Sequence, residues 1–104
     1  MITVLVADDH AIILDGICSL LGAIPDLKVV GKAENGRRAL DLARDLRPDV
    51  VIMDISMPEL NGFEAARQIR AEVPQARIIA LSMYAEKRYV LGMLKAGVSG
   101  YLIK

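Results

Sequence analysis

The sequence is poor in several residue types, and each shortage excludes something. Its 104 residues include one cysteine, one histidine and no tryptophan, and its formal net charge is zero. A single cysteine cannot form an internal disulfide, and we expect Cys18 to be a buried thiol in a reducing cytoplasm. Balanced charge gives no electrostatic indication of a nucleic-acid surface. No apolar run approaches the roughly 20 residues of a membrane span, and because the first predicted strand follows Met1 directly, we expect no signal peptide.

What the sequence does have is alternation. Hydrophobic residues make up 54% of the chain, which suits a sheet covered on both faces. Apolar runs alternate with amphipathic stretches, which predicts one doubly wound α/β domain with a parallel sheet. The predicted strands cover residues 2–7, 28–33, 49–53, 77–82 and 100–104, and the predicted helices cover residues 11–24, 36–46, 62–73 and 86–96. Asn35 is the predicted N-cap of the second helix.

The first predicted helix, over residues 11–24, is apolar around most of its circumference. A helix of this kind is normally buried by more than one neighbour. A parallel sheet also needs helices on both faces, yet the sequence stops after the fifth strand. We therefore expect a further helix or another subunit to pack beside this helix, and we expect the chain to self-associate, as a homodimer or through a swapped element.

Three carboxylates stand where apolar runs stop. Asp8 and Asp9 follow the first predicted strand, and Asp54 follows the third. The carboxyl ends of parallel strands meet at the edge where open α/β folds bind ligands, so these side chains should converge there. Because like charges repel, we expect a cation among them, and an oxygen-liganded divalent metal is the natural candidate. Ser82 and Lys104 end the fourth and fifth predicted strands at the same edge.

These residues occur within a recognisable set of motifs. Asp8-Asp9-His10, Met53-Asp54, Met57-Pro58-Glu59-Leu60-Asn61-Gly62, Ser82 and the ending Ala96-Gly97-Val98-Ser99-Gly100-Tyr101-Leu102-Ile103-Lys104 resemble the receiver domain of bacterial two-component response regulators. The resemblance covers residues 1–104 and looks strongest for the NarL/FixJ subfamily, with its LuxR-type output. It implies a flavodoxin-like (CheY-like) fold, a five-stranded parallel sheet of order 2-1-3-4-5.

In that subfamily the receiver precedes a helix-turn-helix domain that binds DNA. This sequence ends at Lys104, so we expect the final helix and the output domain to be absent from it. Any contact with DNA would then require that missing domain. The resemblance implies a cytoplasmic signalling switch that controls transcription and is not an enzyme in its own right, although it assists its own phosphorylation and dephosphorylation.

The resemblance also assigns a metal site and a phosphoacceptor. Asp54 would accept a phosphoryl group from a sensor histidine kinase. Mg²⁺ would be held directly by Asp9, mainly through water by Asp8, and also by Asp54 and the backbone carbonyl of Ser56. His10 is expected to be a surface or turn residue near the site, without a metal or catalytic role.

Three further residues would respond to the phosphoryl group. Ser82 would donate a hydrogen bond to it, and Lys104 would pair with its charge. Tyr101 would turn inward behind Ser82 as an aromatic switch, which would change the surface formed by the fourth helix and the fifth strand. Each of these residues also has a plainer interpretation: a turn residue, a solvated lysine and a packing tyrosine, respectively.

Other functions stay open at this point. An aspartate-nucleophile phosphatase would need a second Asp two residues after Asp54, where Ser56 stands. A nucleotide- or flavin-binding domain would need a Gly-rich phosphate loop after the first strand, where Asp8 and Asp9 stand instead. A receiver-like module used only for assembly, without phosphotransfer, would need none of this chemistry. Asp8 and Asp9 could also serve only to complement the dipole of the first helix.

Overall fold

A computed structural model describes residues 1–54, 62–82 and 100–103, with only the backbone given for Phe63, Ser82 and residues 100–103. The strands are β1 (Ile2–Ala7), β2 (Leu27–Ala33), β3 (Val50–Asp54), β4 (Arg77–Ser82) and β5 (Gly100–Ile103), and the helices are α1 (Ala11–Gly22), α2 (Gly36–Leu46) and α3 (Gly62–Glu72). The strands form one parallel sheet of order β2-β1-β3-β4-β5. The predicted fold class and strand order are confirmed. The helix predicted over residues 86–96 lies outside the described residues.

Local signals explain most element boundaries. The side chain of Asn35 caps α2, as predicted, by accepting a hydrogen bond from the backbone N–H of Arg38 at 2.8 Å. The helix α1 ends two residues earlier than predicted, at Gly22. Beyond it, the N–H of Ile24 donates to the carbonyl of Leu21 at 3.1 Å, an i to i+3 bond that tightens the last turn.

One face of the sheet carries the main core. Fully buried side chains of the sheet pack there against those of α2 and α3. Among the described residues, the largest in this cluster are Leu5, Met53 and Ile78 of the sheet, Leu40 of α2 and Ile69 of α3. On the other face Val4 and Val6 meet Leu14 of α1, in a smaller cluster that partly buries Cys18. Cys18 is thus half-buried, where full burial was expected, and this burial raises the pKa of its thiol.

The helix α1 is far less covered than its sequence suggests. Leu14 is its only buried residue, while Ile12 is 88% exposed and Leu20 is 73% exposed. Within the described part of the chain, therefore, only one face of α1 packs on the sheet. Covering of the opposite face by another helix or subunit stays a prediction. The helices described here lack the length and apolar character that crossing a membrane requires.

A polar link joins the amino ends of β1 and β3. The carboxylate of Asp49 accepts a hydrogen bond from the backbone N–H of Thr3 at 2.9 Å and another from its hydroxyl at 3.1 Å. These two bonds, the backbone one first, lower the pKa of Asp49 below its ordinary value. A carboxyl with a lowered folded-state pKa stabilises the fold above its unfolded-state pKa, and this contribution is lost as the pH falls through the folded-state value.

We therefore expect Asp49→Ala to destabilise the protein at pH 7 and to destabilise it less at pH 3, below the ordinary pKa of an aspartate. Urea unfolding of the wild type and the variant at both pH values measures the difference in the free energy of unfolding. Thr3→Val replaces the hydroxyl with a methyl group and keeps the backbone N–H that donates to Asp49. It should lower the free energy of unfolding at pH 7 by less than Asp49→Ala does, and again less at pH 3. If the difference in the free energy of unfolding between the wild type and Asp49→Ala is equal at both pH values, the carboxylate of Asp49 does not stabilise the fold through its charge.

Candidate metal centre

The sheet places two carboxylates at neighbouring strand ends. Asp8 directly follows β1, and its N–H donates to the carbonyl of Ala33 at 3.0 Å, which continues the pairing of β1 with β2. Asp54 is the last residue of β3, the strand that pairs with β1 on its other side. Both are almost completely buried, with 0% exposure for Asp8 and 2% for Asp54. Buried carboxylates are uncommon unless they are paired or bind a metal, so their position at the sheet edge indicates a functional site.

The turn after β1 brings two more side chains to the same place. Asp8, Asp9, His10 and Asp54 each offer one ligand atom, and these atoms all lie within 4.8 Å of one another. The carboxylate of Asp8 also shapes the turn, because it accepts a hydrogen bond from the backbone N–H of His10 at 2.8 Å. His10 is the N-cap of α1, and the helix therefore begins directly beside the cluster.

The electrostatics of the cluster favour a cation. The pKa of Asp9 is raised by its partial burial, then by a hydrogen bond with Asp54, and also by the negative charge of Asp54, while the imidazole of His10 acts in the opposite direction. Holding three carboxylates this close costs free energy, which a positive charge in their midst would offset. The arrangement is therefore suited to an ion and unsuited to a phosphate group without one.

The donor set fits Mg²⁺. Hard divalent cations prefer carboxylate and carbonyl oxygens, and Mg²⁺ usually keeps several waters while it binds one or two protein carboxylates. Asp8, Asp9 and Asp54 supply such oxygens at one point, two of them from buried positions. These three residues are thus the ones that would hold the ion.

The other predicted site residues are described less fully. Ser82 is the last residue of β4, which pairs with the strand that carries Asp54. The backbone of Tyr101, in β5, pairs with that of Ala80 in β4. The side chains of Ser82 and Tyr101, and the whole of Ser56 and Lys104, lie outside the described residues. The sheet thus places the backbone of Ser82 at the edge that was predicted.

His10 lies near the site as a half-exposed turn residue, as predicted, but its contacts with the carboxylates were not predicted. Its Nδ1 lies 3.0 Å from Asp8 Oδ1 and 3.1 Å from Asp9 Oδ1. The same nitrogen lies 3.8 Å from Asp54 Oδ2. The one sequence feature that could have indicated these contacts is the position of His10 directly after Asp8 and Asp9, on the same short turn.

Known proteins are similar to this chain in sequence and in fold. The response regulator receiver domain family matches residues 4–104. The response regulator GacA of Pseudomonas viridiflava is 41% identical over 104 residues, which cover 100% of this chain and 49% of that protein. The nitrate/nitrite response regulator NarL of Escherichia coli is 37% identical over 102 residues, which cover 98% of this chain and 47% of that protein.

A solved structure gives the same result. The signal receiver domain of a NarL response regulator from Mycobacterium tuberculosis superimposes with a TM-score of 0.94 at 31% sequence identity, covering 98% of this chain and 82% of that one. The chain spans about half the length of the curated relatives it matches. The sequence motifs, the sheet order and these matches agree, and the chain belongs to the response regulator receiver domain family.

Proposed function

We propose that this chain is a phosphorylation-dependent signalling switch in which Asp54 accepts a phosphoryl group from a sensor histidine kinase. The observation that carries the proposal is the position of Asp54. It ends the strand β3 with 2% exposure, and its carboxylate belongs to a cluster with Asp8, Asp9 and His10 whose ligand atoms lie within 4.8 Å. A buried carboxylate surrounded by others has little structural value, but it is well placed as a nucleophile once a cation neutralises its neighbours.

The transfer needs positioning and charge compensation more than covalent help from the protein. A carboxylate oxygen of Asp54 attacks the phosphorus of the kinase phosphohistidine, the P–N bond breaks, and its electron pair stays on the imidazole nitrogen. The product is an acyl phosphate on Asp54. When bound, Mg²⁺ would offset the negative charge of both the carboxylates and the phosphoryl oxygens. Asp9 would hold it directly, Asp8 mainly through water, and the carbonyl of Ser56 would add a further ligand.

The switch follows from the new charge. Phosphorylation adds roughly −1.5 to −2 charges at the sheet edge. Lys104 would pair with that charge, Ser82 would donate a hydrogen bond to it, and Tyr101 would turn inward behind Ser82. A local charge change of this kind can bias a bistable surface, here the one formed by the fourth helix and β5.

The chain covers about half of relatives such as GacA, and the proposed consequence of switching involves the part of those relatives that it does not match. In the proposal, residues 1–104 form one receiver domain, and the altered surface controls a DNA-binding output domain and hence transcription. Self-association through the exposed face of α1 would be part of that control. The chain would act in the cytoplasm, in keeping with its single cysteine, and would assist only its own phosphorylation and dephosphorylation.

One observation favours a second function, that of an assembly module without phosphotransfer. The exposed apolar side chains of Ile12 and Leu20 give α1 a surface suited to a protein partner. Such a module would need the fold but no phosphoacceptor. The two functions differ in one measurable property, which is whether Asp54 becomes phosphorylated.

The test is the intact mass of the folded chain after incubation with acetyl phosphate and Mg²⁺. We expect one phosphoryl adduct on the wild type, none on Asp54→Asn, and none on the wild type with a chelator. Asp45→Asn, a matched change at an exposed position of α2, should keep the adduct. Wild-type protein that is folded yet takes up no phosphoryl group would overturn the proposal in favour of the assembly module.

A further inference from the structure

We propose that His10 is a metal ligand that shifts the preference of this site from Mg²⁺ towards borderline transition-metal ions such as Zn²⁺, an inference that rests on the metal site of the proposed function. His10 is the only histidine of the chain. Its ring lies among the same carboxylates that would hold Mg²⁺.

The distances between donor atoms support His10 as a ligand. The Nδ1 atom of His10 lies 3.0 Å from Asp8 Oδ1, 3.1 Å from Asp9 Oδ1 and 3.8 Å from Asp54 Oδ2. Two donors bound side by side to one ion, each about 2.1 Å from it, lie roughly 3.0 to 3.4 Å apart. The first two separations match that spacing, although 3.0 Å is also the length of the hydrogen bond between Nδ1 and Asp8 Oδ1, and Asp54 Oδ2 would have to move closer.

Backbone hydrogen bonds hold His10 on the turn beside the carboxylates. The N–H of His10 donates to Asp8 Oδ1 at 2.8 Å, and the carbonyl of His10 accepts the first backbone hydrogen bond of α1, from Leu14 at 2.9 Å. Both backbone groups of His10 are thus fixed by their neighbours. Its side chain remains 52% exposed, so an ion arriving from solvent can reach it.

Ligand chemistry gives the expected selectivity. Carboxylates suit Mg²⁺, whereas imidazole suits Zn²⁺ and the later transition metals. A set of three carboxylate oxygens and one imidazole nitrogen therefore gains more affinity for Zn²⁺ than for Mg²⁺. The competing explanation is that Nδ1–H only donates a hydrogen bond to the carboxylates, and in that case removal of the ring would affect both ions to a similar extent.

Titration calorimetry of the untagged chain with Zn²⁺ and, separately, with Mg²⁺ tests the proposal. A Cys18→Ser background removes the only thiol, a side chain that also binds Zn²⁺. His10→Ala removes the ligand, and His10→Gln replaces the imidazole with an amide. Because loss of groups that only support a ligand lowers metal affinity by about 10- to 100-fold, we expect at least a tenfold loss of Zn²⁺ affinity in both variants. Mg²⁺ affinity should change by less than about threefold, by the same ligand preferences.

The ring nitrogens give a second readout that needs no variant. Since the chain has one histidine, every imidazole ¹⁵N resonance belongs to His10. Zn²⁺ should displace the Nδ1 resonance, and Mg²⁺ should leave it nearly unchanged. Equal losses of Zn²⁺ and Mg²⁺ affinity in His10→Ala, or an Nδ1 resonance that Zn²⁺ does not move, would overturn the inference.

The two proposals fail separately. If Asp54 is phosphorylated with Mg²⁺ but His10→Ala leaves the ratio of Zn²⁺ to Mg²⁺ affinity unchanged, the inference about His10 is wrong and the proposed function stands. If Asp54 is not phosphorylated but the ratio falls at least tenfold in His10→Ala, the metal site includes His10 and the phosphotransfer function is wrong.

Discussion

Replacing Asp54 with Asn should stabilise the metal-free protein while it abolishes phosphorylation. Two unit charges 4 Å apart interact by about 4 kcal/mol at an effective dielectric constant of about 20. Asp54 is 2% exposed and lies in a cluster whose ligand atoms are within 4.8 Å of one another. Solvent at Asp9 and the imidazole of His10 reduce the repulsion, so we expect the free energy of unfolding to rise by about 1–3 kcal/mol. Asn keeps the shape and an acceptor oxygen but removes one negative charge.

Urea unfolding in the presence of a chelator measures this gain, and repeating it with Mg²⁺ reveals the cause. A bound ion stabilises the folded state by an amount that grows with the logarithm of the ratio of its concentration to its dissociation constant. Mg²⁺ should therefore raise the free energy of unfolding of the wild type more than that of Asp54→Asn. The difference in stability between the two proteins should then be smaller than it is with chelator. Asp45→Asn, on the exposed surface of α2, should change neither value appreciably. Loss of stability in Asp54→Asn without metal would mean that the carboxylate serves the fold.

The second large predicted effect is a loss of stability when a core side chain is truncated. Leu40 of α2 is 0% exposed and belongs to the main cluster with Leu5 and Met53. Truncation of a buried leucine to alanine removes apolar burial and leaves a cavity, and it costs about 2–5 kcal/mol. Since small domains are stable by only about 5–15 kcal/mol, Leu40→Ala should bring this one close to unfolding. Thermal and urea unfolding at low protein concentration measure the loss.

Leu20 offers the same chemical change at an exposed place. It is 73% exposed on α1, so Leu20→Ala should alter the stability of the monomer by no more than about 0.5 kcal/mol. A similar loss in Leu40→Ala and Leu20→Ala at low concentration would contradict the assignment of the core. Unfolding of the wild type and Leu20→Ala at high protein concentration, together with sedimentation, tests whether a second copy of the chain covers this face of α1. A loss of stability in Leu20→Ala that appears only at high concentration would support self-association.

The fold could be predicted because each element carries its own local signal. Apolar runs between polar turns fixed the strands, and Asn35 marked the start of α2, where its side chain does accept the capping hydrogen bond. The environment of α1 could not be read in the same way. Its apolar residues indicate a need for burial, but periodicity does not say which neighbour provides it, and Ile12 lies 88% exposed in the chain.

The site was predictable to the extent that topology determines it. Asp8 and Asp54 end adjacent parallel strands, so the sheet order alone brings them together. The contact of His10 with both carboxylates depends instead on the path of a short turn and on a backbone hydrogen bond to Asp8. A sequence pattern contains no information on that geometry, and so it predicts His10 only as a surface or turn residue near the site.

The central claim, that Asp54 is the phosphoacceptor while Asp8 and Asp9 serve the metal, is tested most directly by locating the modified residue. After incubation with acetyl phosphate and Mg²⁺, borohydride reduces an acyl phosphate on aspartate to homoserine, and peptide mass spectrometry identifies its position. We expect homoserine at position 54 alone, and none when Mg²⁺ is chelated. Homoserine at position 8 or 9 with aspartate intact at position 54 would contradict the account.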